Sequence, residues 1–296
     1  MDLPSLRAVL KIAEKGSFSQ AARDLGVTQP AISQQVARLE TEIGRSLFER
    51  QGRSVALTEA GEKLCRHAQQ IIALADDARR IVTDDDERGR ISIAAIPTIA
   101  PYLLPEVLSA FRVDHPHAQV EVHEEVTASL LQRCANGEID VGLLALPAER
   151  KYLHFERLYD EELLLVVPAA HHLAKAKKVR LEDLQDEPFV LLDEAHCLSG
   201  DIRSFCLRKR FQPLATGRTT QLATVQELVA LGHGVSLIPQ MARRLDHDPR
   251  RVYRSLDGPR PKRSIAMCWN PDRYQSKLMK SLLTVLRKTA SPASSQ

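Results

Sequence analysis

The length, composition and charge of the chain exclude several classes of protein. Its 296 residues, 44% hydrophobic and 27% charged, predict a globular protein of about two domains and not a disordered or collagen-like chain. The formal net charge of +3 is weak evidence for a polyanionic partner. The sequence has no apolar run near the ~18 residues of a membrane span, and an acidic Asp2 replaces the basic start of a signal peptide, which predicts a cytoplasmic protein.

Residues 1–58 predict three helices in close succession. The first ends near Gly16, the second runs from Ser17 to Gly26, and the third is capped by Thr28 with Pro30 in its first turn. The buried stripe of the third helix is Ile32, Val36 and Leu39. A short helix, a tight turn and a further helix form a helix-turn-helix, whose second helix fits the DNA major groove.

The polar face of the third helix supplies side chains suited to DNA. The outward-facing residues are Gln29, Ser33, Gln34, Arg38 and Glu40. Gln and Arg form paired hydrogen bonds with base edges, while Ser and Thr reach phosphates or bases. Residues 47–58 predict two short strands around Gln51 and Gly52, a wing that carries arginines toward the DNA backbone. The predicted DNA contacts are Thr28, Gln29, Pro30, Ser33, Gln34, Arg38, Arg50 and Arg53.

One long amphipathic helix is predicted from Thr58 to about Val82. Its apolar side comprises Leu64, Ile71, Leu74, Ala75, Ala78, Ile81 and Val82. This side either packs on its own chain or pairs with the same helix of a second subunit, which would space two DNA-reading heads. The acidic run from Asp84 to Glu87 predicts a solvated hinge. We therefore predict a DNA-binding domain at 1–58, a linker helix and hinge at 59–89, and a regulatory domain at 90–296.

After Gly89 the pattern changes to strands alternating with helices. The predicted strands are 91–96, 119–124, 140–146, 163–168, 189–192, 234–239 and 264–269. The predicted helices lie around 103–111, 128–134, 201–208 and 222–231. This alternation predicts an α/β architecture with mainly parallel sheets, divided into two sub-domains with a ligand cleft between them.

The N-terminal residues resemble a known family of regulators. The stretch FSQAARDLGVTQPAISQQVARLETEIGRSLFER (18–50), followed by LTEAG (57–61), is similar to the winged helix-turn-helix of LysR-type transcriptional regulators. The resemblance implies a regulatory region of periplasmic-binding-protein-like fold, a homo-oligomer that is a tetramer, double-stranded DNA as partner and contact with RNA polymerase. It implies a regulator and not an enzyme, with no cofactor and no metal.

A narrower resemblance concerns the OxyR-type peroxide sensors within that family. It rests on IPTIAPYLLP (96–105) and DEAHCLSGDIRSFC (193–206). It implies that Cys197 is the peroxidatic thiol and Cys206 the resolving thiol, with His196, Thr98 and Thr127 supporting the reaction. The sequence departs from the pattern at Ser199-Gly200, where this group usually has an Arg-Asp pair, and Arg203 follows one turn later.

The resemblance implies hydrogen peroxide as effector and oxidative-stress genes as targets. Peroxide converts a thiolate to a sulfenic acid, which a second thiol traps as a disulfide. If 199–208 is helical when reduced, nine residues separate the thiols by about 13 Å, whereas a disulfide needs Cα atoms within about 7 Å. Oxidation would then require remodelling of the segment.

Other interpretations stay open at this point. The effector could be a small metabolite in the cleft, with Cys197 and Cys206 incidental. A thiol peroxidase with a DNA-binding head and a free solute-binding protein fit the sequence less well, because it has no reductase-docking CxxC and no export signal. The remaining cysteines, Cys65, Cys134 and Cys268, are predicted to be packing residues, and His171 and His172 surface residues.

Overall fold

The computed structural model describes residues 1–51, 54–83, 89–193, 197–208 and 214–289. The chain divides into two compact units. Unit 1 is Met1–Asp84 with Asn136–Glu138, and unit 2 is Asp85–Ala135 with Ile139–Gln296. The predicted hinge at 84–87 lies outside the described residues. No described helix has both the length and the apolar run needed to cross a membrane.

Unit 1 contains the predicted helices and wing. Its elements are α1 (Leu3–Lys15), α2 (Phe18–Asp24), α3 (Gln29–Ile43), β1 (Phe48–Gln51), β2 (Ser54–Leu57) and α4 (Glu59–Thr83). β1 and β2 pair antiparallel, with Phe48 opposite Leu57. The core of this unit joins α1, α2 and α3 through Val9, Ile12, Ala21, Ile32 and Val36.

Local signals in the sequence explain where these helices begin and end. The Asp2 side chain accepts a hydrogen bond from the Ser5 N–H at 2.8 Å and caps α1, which ends at Gly16 with a left-handed φ of 60°. The Ser17 hydroxyl accepts from the Gln20 N–H at 3.4 Å and caps α2. Thr28 occupies the N-cap of α3 as predicted, but its side chain makes no capping hydrogen bond.

Unit 2 contains the alternating strands and helices. Its strands are β3 (Arg90–Ala95), β4 (Gln119–Glu124), β5 (Val141–Leu146), β6 (His154–Pro168), β7 (Pro188–Leu192), β8 (Leu214–Thr219), β9 (Ser236–Pro239), β10 (Arg251–Arg254) and β11 (Lys262–Trp269). Its helices are α5 (Ala100–Asp114), α6 (Thr127–Asn136), α7 (Cys197–Arg208), α8 (Leu222–Ala230), α9 (Gln240–Arg244) and α10 (Lys277–Thr289).

The sheets of unit 2 are mixed, so the expectation of mainly parallel sheets was wrong. The large sheet has the order β10-β6-β11-β5-β3-β4, with β9 also paired to β6, and β7 pairs with β8. The pairs β3–β4, β3–β5 and β7–β8 are parallel. The pairs of β6 with β9, β10 and β11, and of β11 with β5, are antiparallel. The 15-residue β6 pairs with all three and joins the two halves of the unit.

Two hydrophobic cores lie on the two halves of unit 2. One packs α5, α6 and α10 against β3, β5 and β11. The other packs α7 and α8 against β6, β7 and β9. The half-buried Tyr102, in the first turn of α5, contacts both cores. Two cores joined by a continuous strand match the two sub-domains expected from the sequence.

Candidate functional site

The α3 helix presents one polar face to solvent. Gln34 and Arg38 are exposed and lie one helical turn apart, while Ile32, Val36 and Leu39 are buried on the other side. Thr28, Gln29 and Pro30, at the start of the helix, are also exposed. Ser33 is half-buried, and its hydroxyl accepts a hydrogen bond from the Gln29 amide at 2.9 Å. Six of the predicted DNA contacts therefore share one end and one side of α3.

Glu40 does not belong to this face, although the sequence suggested that it faces outward. It is half-buried, and its carboxylate accepts hydrogen bonds from the backbone N–H groups of Leu47 at 2.6 Å and Phe48 at 3.4 Å. The helical period alone could not reveal this role, because the donors belong to the following loop and strand. Glu40 fixes the start of the wing to α3.

The wing follows directly from this anchor. Arg50 lies on β1, opposite Val55 on β2, and its side chain is outside the described part of the structure. Arg53, the other predicted backbone contact, lies outside the described residues altogether. Gly61 of α4 packs against Leu47, the residue before the wing. A Cβ atom at position 61 would lie 2.1 Å from the Leu47 carbonyl oxygen, so a larger residue would clash there.

An apolar stripe runs along the solvent side of α4. Ile71, Leu74, Ile81 and Val82 are exposed, and Val82 is 83% accessible. An adjacent side of α4 packs on α1, where Ala68 and Ile72 contact Leu6. The helix therefore uses one face within its own chain and leaves a second apolar face uncovered, and such a face is typical of an interaction surface.

Both cysteines of the predicted redox pair lie on α7. Cys197 is the first residue of this helix, and its side chain is not among those described. Cys206 is a free, fully buried thiol in the core of its sub-domain, and burial raises its pKa to about 11. The predicted helix at 201–208 thus extends back to Cys197. Nine residues of helix separate the two Cα atoms by about 13 Å, beyond the reach of a disulfide.

Ser199 and Gly200, where the sequence departs from the related sensors, have different environments. Ser199 is buried, and its hydroxyl donates a short hydrogen bond to the Leu192 carbonyl. This hydrogen bond links the first turn of α7 to the end of β7. His196 belongs to the connection between these two elements and lies outside the described residues. Gly200 is exposed, and a Cβ atom there would have no heavy atom within 4 Å.

Thr98 takes part in a buried ionic network that sequence reasoning missed. The Arg263 guanidinium donates to the Thr98 hydroxyl at 2.7 Å, to the Thr98 carbonyl at 3.0 Å and to the Glu161 carboxylate at 2.8 Å. The second carboxylate oxygen of Glu161 accepts the backbone N–H of Met241 at 2.5 Å. All three polar side chains are buried, so the pair neutralises two charges that would otherwise be costly there.

The strand register explains why this network was hidden in the sequence. Arg263 on β11 lies directly opposite Glu161 on β6, although about a hundred residues separate them along the chain. A charged residue just before each apolar strand pattern, Glu161 before 163–168 and Arg263 before 264–269, was the available signal. It showed that each charge needed a partner, but it did not show which one.

Thr127 lies at the same sheet edge as Thr98. The strands β3 and β4 are parallel, with Ala95 opposite Glu124, and each threonine follows its strand by three residues. Thr127 is the half-buried first residue of α6. The carboxyl edge of parallel strands is the usual ligand-binding edge of an α/β sheet. The structure thus places both predicted threonines at one edge, and Arg263 contacts the first of them.

The remaining cysteines belong to elements other than α7. Cys134 and Cys268 are free, buried thiols in the other core, and a Cβ atom at Gly142 would contact both sulfur atoms. A hydrogen bond with Cys268, together with burial, raises the pKa of Cys134. Cys65 is half-buried on α4, and burial raises its pKa as well. The raised pKa values of Cys134 and Cys65 favour the protonated thiols, which disfavours their reaction with oxidants.

Two family models together match most of the chain. The model described as "Bacterial regulatory helix-turn-helix protein, lysR family" matches residues 3–62, and the model described as "LysR substrate binding domain" matches residues 84–291. The sequence is 38% identical over 269 residues to the "Probable hydrogen peroxide-inducible genes activator" of Mycobacterium avium, covering 90% of this chain and 86% of that protein.

Solved structures agree with these matches. A full-length OxyR variant from Pseudomonas aeruginosa matches with a TM-score of 0.79 and 28% identity, over 98% of this chain and 94% of that one. An OxyR variant from Corynebacterium glutamicum with hydrogen peroxide bound matches with a TM-score of 0.64 and 30% identity, over 97% and 94%. The predicted fold class, a winged helix-turn-helix followed by an α/β regulatory region, is confirmed.

Proposed function

The chain belongs to the LysR family of bacterial regulatory helix-turn-helix proteins, and on this premise we propose that it is a DNA-binding transcriptional regulator that responds to hydrogen peroxide. Membership of this family makes it a regulator and not an enzyme. The relatives named as peroxide-inducible activators, and the related structure with peroxide bound, support this effector. A regulator of this kind acts on the chromosome, so we propose a cytoplasmic location and oxidative-stress genes as its targets.

The position of the two cysteines on α7 carries the peroxide proposal. The Cys197 thiolate attacks one oxygen of hydrogen peroxide, the O–O bond breaks, and a sulfenic acid and hydroxide form; the hydroxide takes a proton from solvent and leaves as water. The Cys206 thiol then attacks the sulfenic sulfur, which forms the disulfide and releases a second water. Because Cys206 is buried and about 13 Å along the helix from Cys197, the second step follows only after α7 has unwound.

Polar groups at the sheet edge would support the first step. Thr98 is held by two hydrogen bonds from Arg263, which fixes its hydroxyl in one place. We assign Thr98 and Thr127 to orienting the peroxide oxygens, and His196 to favouring the thiolate form of Cys197. Arg263 acts through Thr98 in this scheme and is a positioning residue.

The exposed face of α3 would read the operator. Gln34 and Arg38 have the geometry for base edges, whereas Arg50 and Arg53 on the wing would contact phosphates. The apolar face of α4 would pair two chains, and the family resemblance favours a tetramer. In such an assembly the remodelling of α7 would change the spacing of the reading heads, and RNA polymerase would respond to the change.

Binding to DNA tests the proposal as a whole. Operator sequences are selected from a random DNA library, and their affinities for the reduced and the peroxide-treated protein are measured by fluorescence anisotropy. We expect peroxide treatment to change the preferred half-site spacing, and Cys197→Ser to abolish that change. A Cys197→Ser protein that still responded to a metabolite would favour the metabolite alternative, and a peroxide effect that persisted in Cys197→Ser would contradict the role of Cys197.

Two further variants separate base contacts from phosphate contacts. Replacing Gln34 by Ala should reduce the preference between operators, at a cost of about 1–3 kcal/mol on the preferred one. Replacing Arg53 by Ala should weaken binding to all sequences alike and lower the slope of affinity against salt concentration by about one. If Gln34→Ala left the relative affinities unchanged, the assignment of α3 to the major groove would be wrong.

A further inference from the structure

Two histidines and a glutamate converge on the surface of unit 2. The Nε2 atom of His171 lies 3.1 Å from one carboxylate oxygen of Glu187, and the Nε2 atom of His172 lies 3.7 Å from the other. The two imidazole rings are 4.5 Å apart between centroids. Among the described residues, this is the one group of three whose potential metal-ligand atoms all lie within 4.8 Å of each other.

The backbone fixes both histidines next to the end of β6. The His171 N–H donates to the Pro168 carbonyl at 2.9 Å, and the His171 carbonyl accepts from Ala174 at 3.0 Å. The Arg254 guanidinium holds the same turn by donating to the Ala174 carbonyl at 2.7 Å. His172 begins the short 3₁₀ helix His172–Lys175. Adjacent residues seldom direct their side chains to one partner, and this turn brings both rings to the same carboxylate.

Glu187 is fixed from the other side. It immediately precedes β7, and its backbone N–H donates to the Leu184 carbonyl at 3.2 Å. Its side chain is only 18% accessible, as is that of His171 at 17%, whereas His172 is 67% accessible. His171 and Glu187 are thus partly buried ligands, and His172 is the ligand on the solvent side.

A single hydrogen bond between His171 and Glu187 would not account for the position of His172. In a tetrahedral site with bonds of 2.0–2.1 Å, neighbouring ligand atoms lie about 3.3 Å apart. The separations of 3.1 and 3.7 Å run to different oxygens of the Glu187 carboxylate, and one ligand atom from each residue lies within 4.8 Å of the other two, so a small inward movement of the side chains would bring the three ligand atoms to that spacing. Imidazole nitrogens favour zinc, copper, nickel, cobalt and iron, whereas calcium and magnesium prefer sites made of oxygen alone.

We propose that His171, His172 and Glu187 bind one divalent transition-metal ion, with the remaining coordination position open to solvent. The position of the His171 ring proton can be assigned. The His171 Nδ1 atom accepts a 3.3 Å hydrogen bond from the Leu173 N–H, so Nε2 carries the ring proton and donates to Glu187. On metal binding that proton moves to Nδ1, the metal replaces the hydrogen bond to Glu187, and the long contact with Leu173 is lost.

Titration of the reduced, full-length protein with Co²⁺ tests this site. Cobalt bound to nitrogen and oxygen ligands gives weak visible bands, whereas cobalt bound to a thiolate adds an intense near-ultraviolet charge-transfer band. This difference separates the proposed site from the cysteines. We expect one Co²⁺ per chain, the visible bands, and no thiolate band.

Variants at the site decide between a metal site and a structural hydrogen bond. His172→Gln alters an exposed side chain and should leave the fold intact, yet it should weaken Co²⁺ binding on the order of 100-fold. Glu187→Gln should have a similar effect, and His247→Gln, at another exposed histidine, should have none. Equal affinity in wild type and His172→Gln, a thiolate band, or no binding by the wild type would overturn the proposal.

Discussion

The Arg263 side chain has no accessible surface, and each of its bonds has a structural consequence. It neutralises Glu161 across the sheet and holds Thr98 at the end of β3. Buried ion pairs contribute little net stability compared with apolar residues of the same size, but removing one partner is costly. The pair is therefore better explained by the positioning of Thr98 than by stability.

Replacement of Arg263 by Gln should destabilise unit 2. The variant leaves Glu161 as an unpaired buried charge, so we expect a loss of about 3–5 kcal/mol in the free energy of unfolding, measured in urea. The double variant Arg263→Gln/Glu161→Gln removes both charges and should lose less than the single variant. Equal losses in the two variants would show that the charge on Glu161 is not what makes the single replacement costly.

The buried thiol of Cys206 predicts a pH dependence. Its pKa is raised from 9.0 to about 11 because burial disfavours the thiolate. A pKa that is higher in the folded state stabilises the fold below pH 9, and this contribution is lost as the pH rises through 11. We therefore expect the difference in free energy of unfolding between wild type and Cys206→Ala to be constant up to about pH 8.5 and to shrink between pH 9 and 11.

The other titrating groups are present in both proteins of this comparison, so their effects cancel. Urea unfolding at pH 7, 9 and 10.5 measures the difference. If it did not change across this range, the Cys206 thiol would titrate at its ordinary pKa, and burial would not protect it from oxidation.

At the scale of elements, α7 is a helix that the proposed chemistry must unwind. Gly200 lies inside it with open space around its Cα, so an alanine would fit without a clash. A glycine in the interior of a helix costs about 1 kcal/mol compared with alanine. The sequence thus places a weak point three residues after Cys197.

Gly200→Ala should make the oxidised form harder to reach. We expect the Cys197–Cys206 disulfide to be about fivefold easier to reduce, because about 1 kcal/mol is added to the helical, reduced state. Equilibration with glutathione buffers, followed by thiol trapping, measures the change. Lys280→Ala, at an exposed position on α10, serves as the control. A disulfide of unchanged stability in Gly200→Ala would mean that α7 does not unwind around this residue.

Elements with a clear local pattern could be predicted from the sequence. The three helices of the reading head, the wing, the long α4 and the helices around 103–111 and 222–231 follow from periodicity and capping residues. The strands β8 and β10 were missed because polar residues interrupt them, as in LATGRT and RVYR. The antiparallel pairing of β6 and β11 was missed because register depends on partners far along the chain.

The residues of the candidate site also differ in whether the sequence could predict their roles. The face of α3 followed from the helical period, and Cys206 and Thr98 from their motifs. Glu40, Glu161 and Arg263 could not be assigned, because their partners are backbone groups or residues in distant strands. For a side chain whose role depends on a tertiary contact, the sequence shows the charge but not the partner.

For the whole molecule, the uncovered face of α4 predicts association of two chains. Leu74 and Ile81 are 53% and 59% accessible in the single chain. Two reading heads on one DNA site bind far more tightly than one, because the second contact becomes intramolecular. LysR-family regulators act as oligomers, and the exposed apolar stripe of α4 is the surface through which we expect two chains to pair.

Replacement of both Leu74 and Ile81 by Glu should dissociate the subunits paired through α4. Sedimentation equilibrium should show an increase of at least about tenfold in the dissociation constant, and operator affinity should fall with it, since avidity is lost. Leu231→Glu, at an equally exposed leucine in unit 2, is the control for added charge. An unchanged oligomer in the double variant would place the subunit contact elsewhere.

The central claim is that peroxide acts through Cys197 and Cys206. Peptide-level mass spectrometry of the reduced protein, after brief exposure to a few equivalents of hydrogen peroxide, tests it most directly, with Cys197→Ser and Cys206→Ser alongside. We predict a rapid Cys197–Cys206 disulfide in the wild type, a sulfenic acid on Cys197 in Cys206→Ser, and no disulfide in Cys197→Ser. Thiols that stayed reduced at peroxide concentrations too low to oxidise glutathione would contradict the claim.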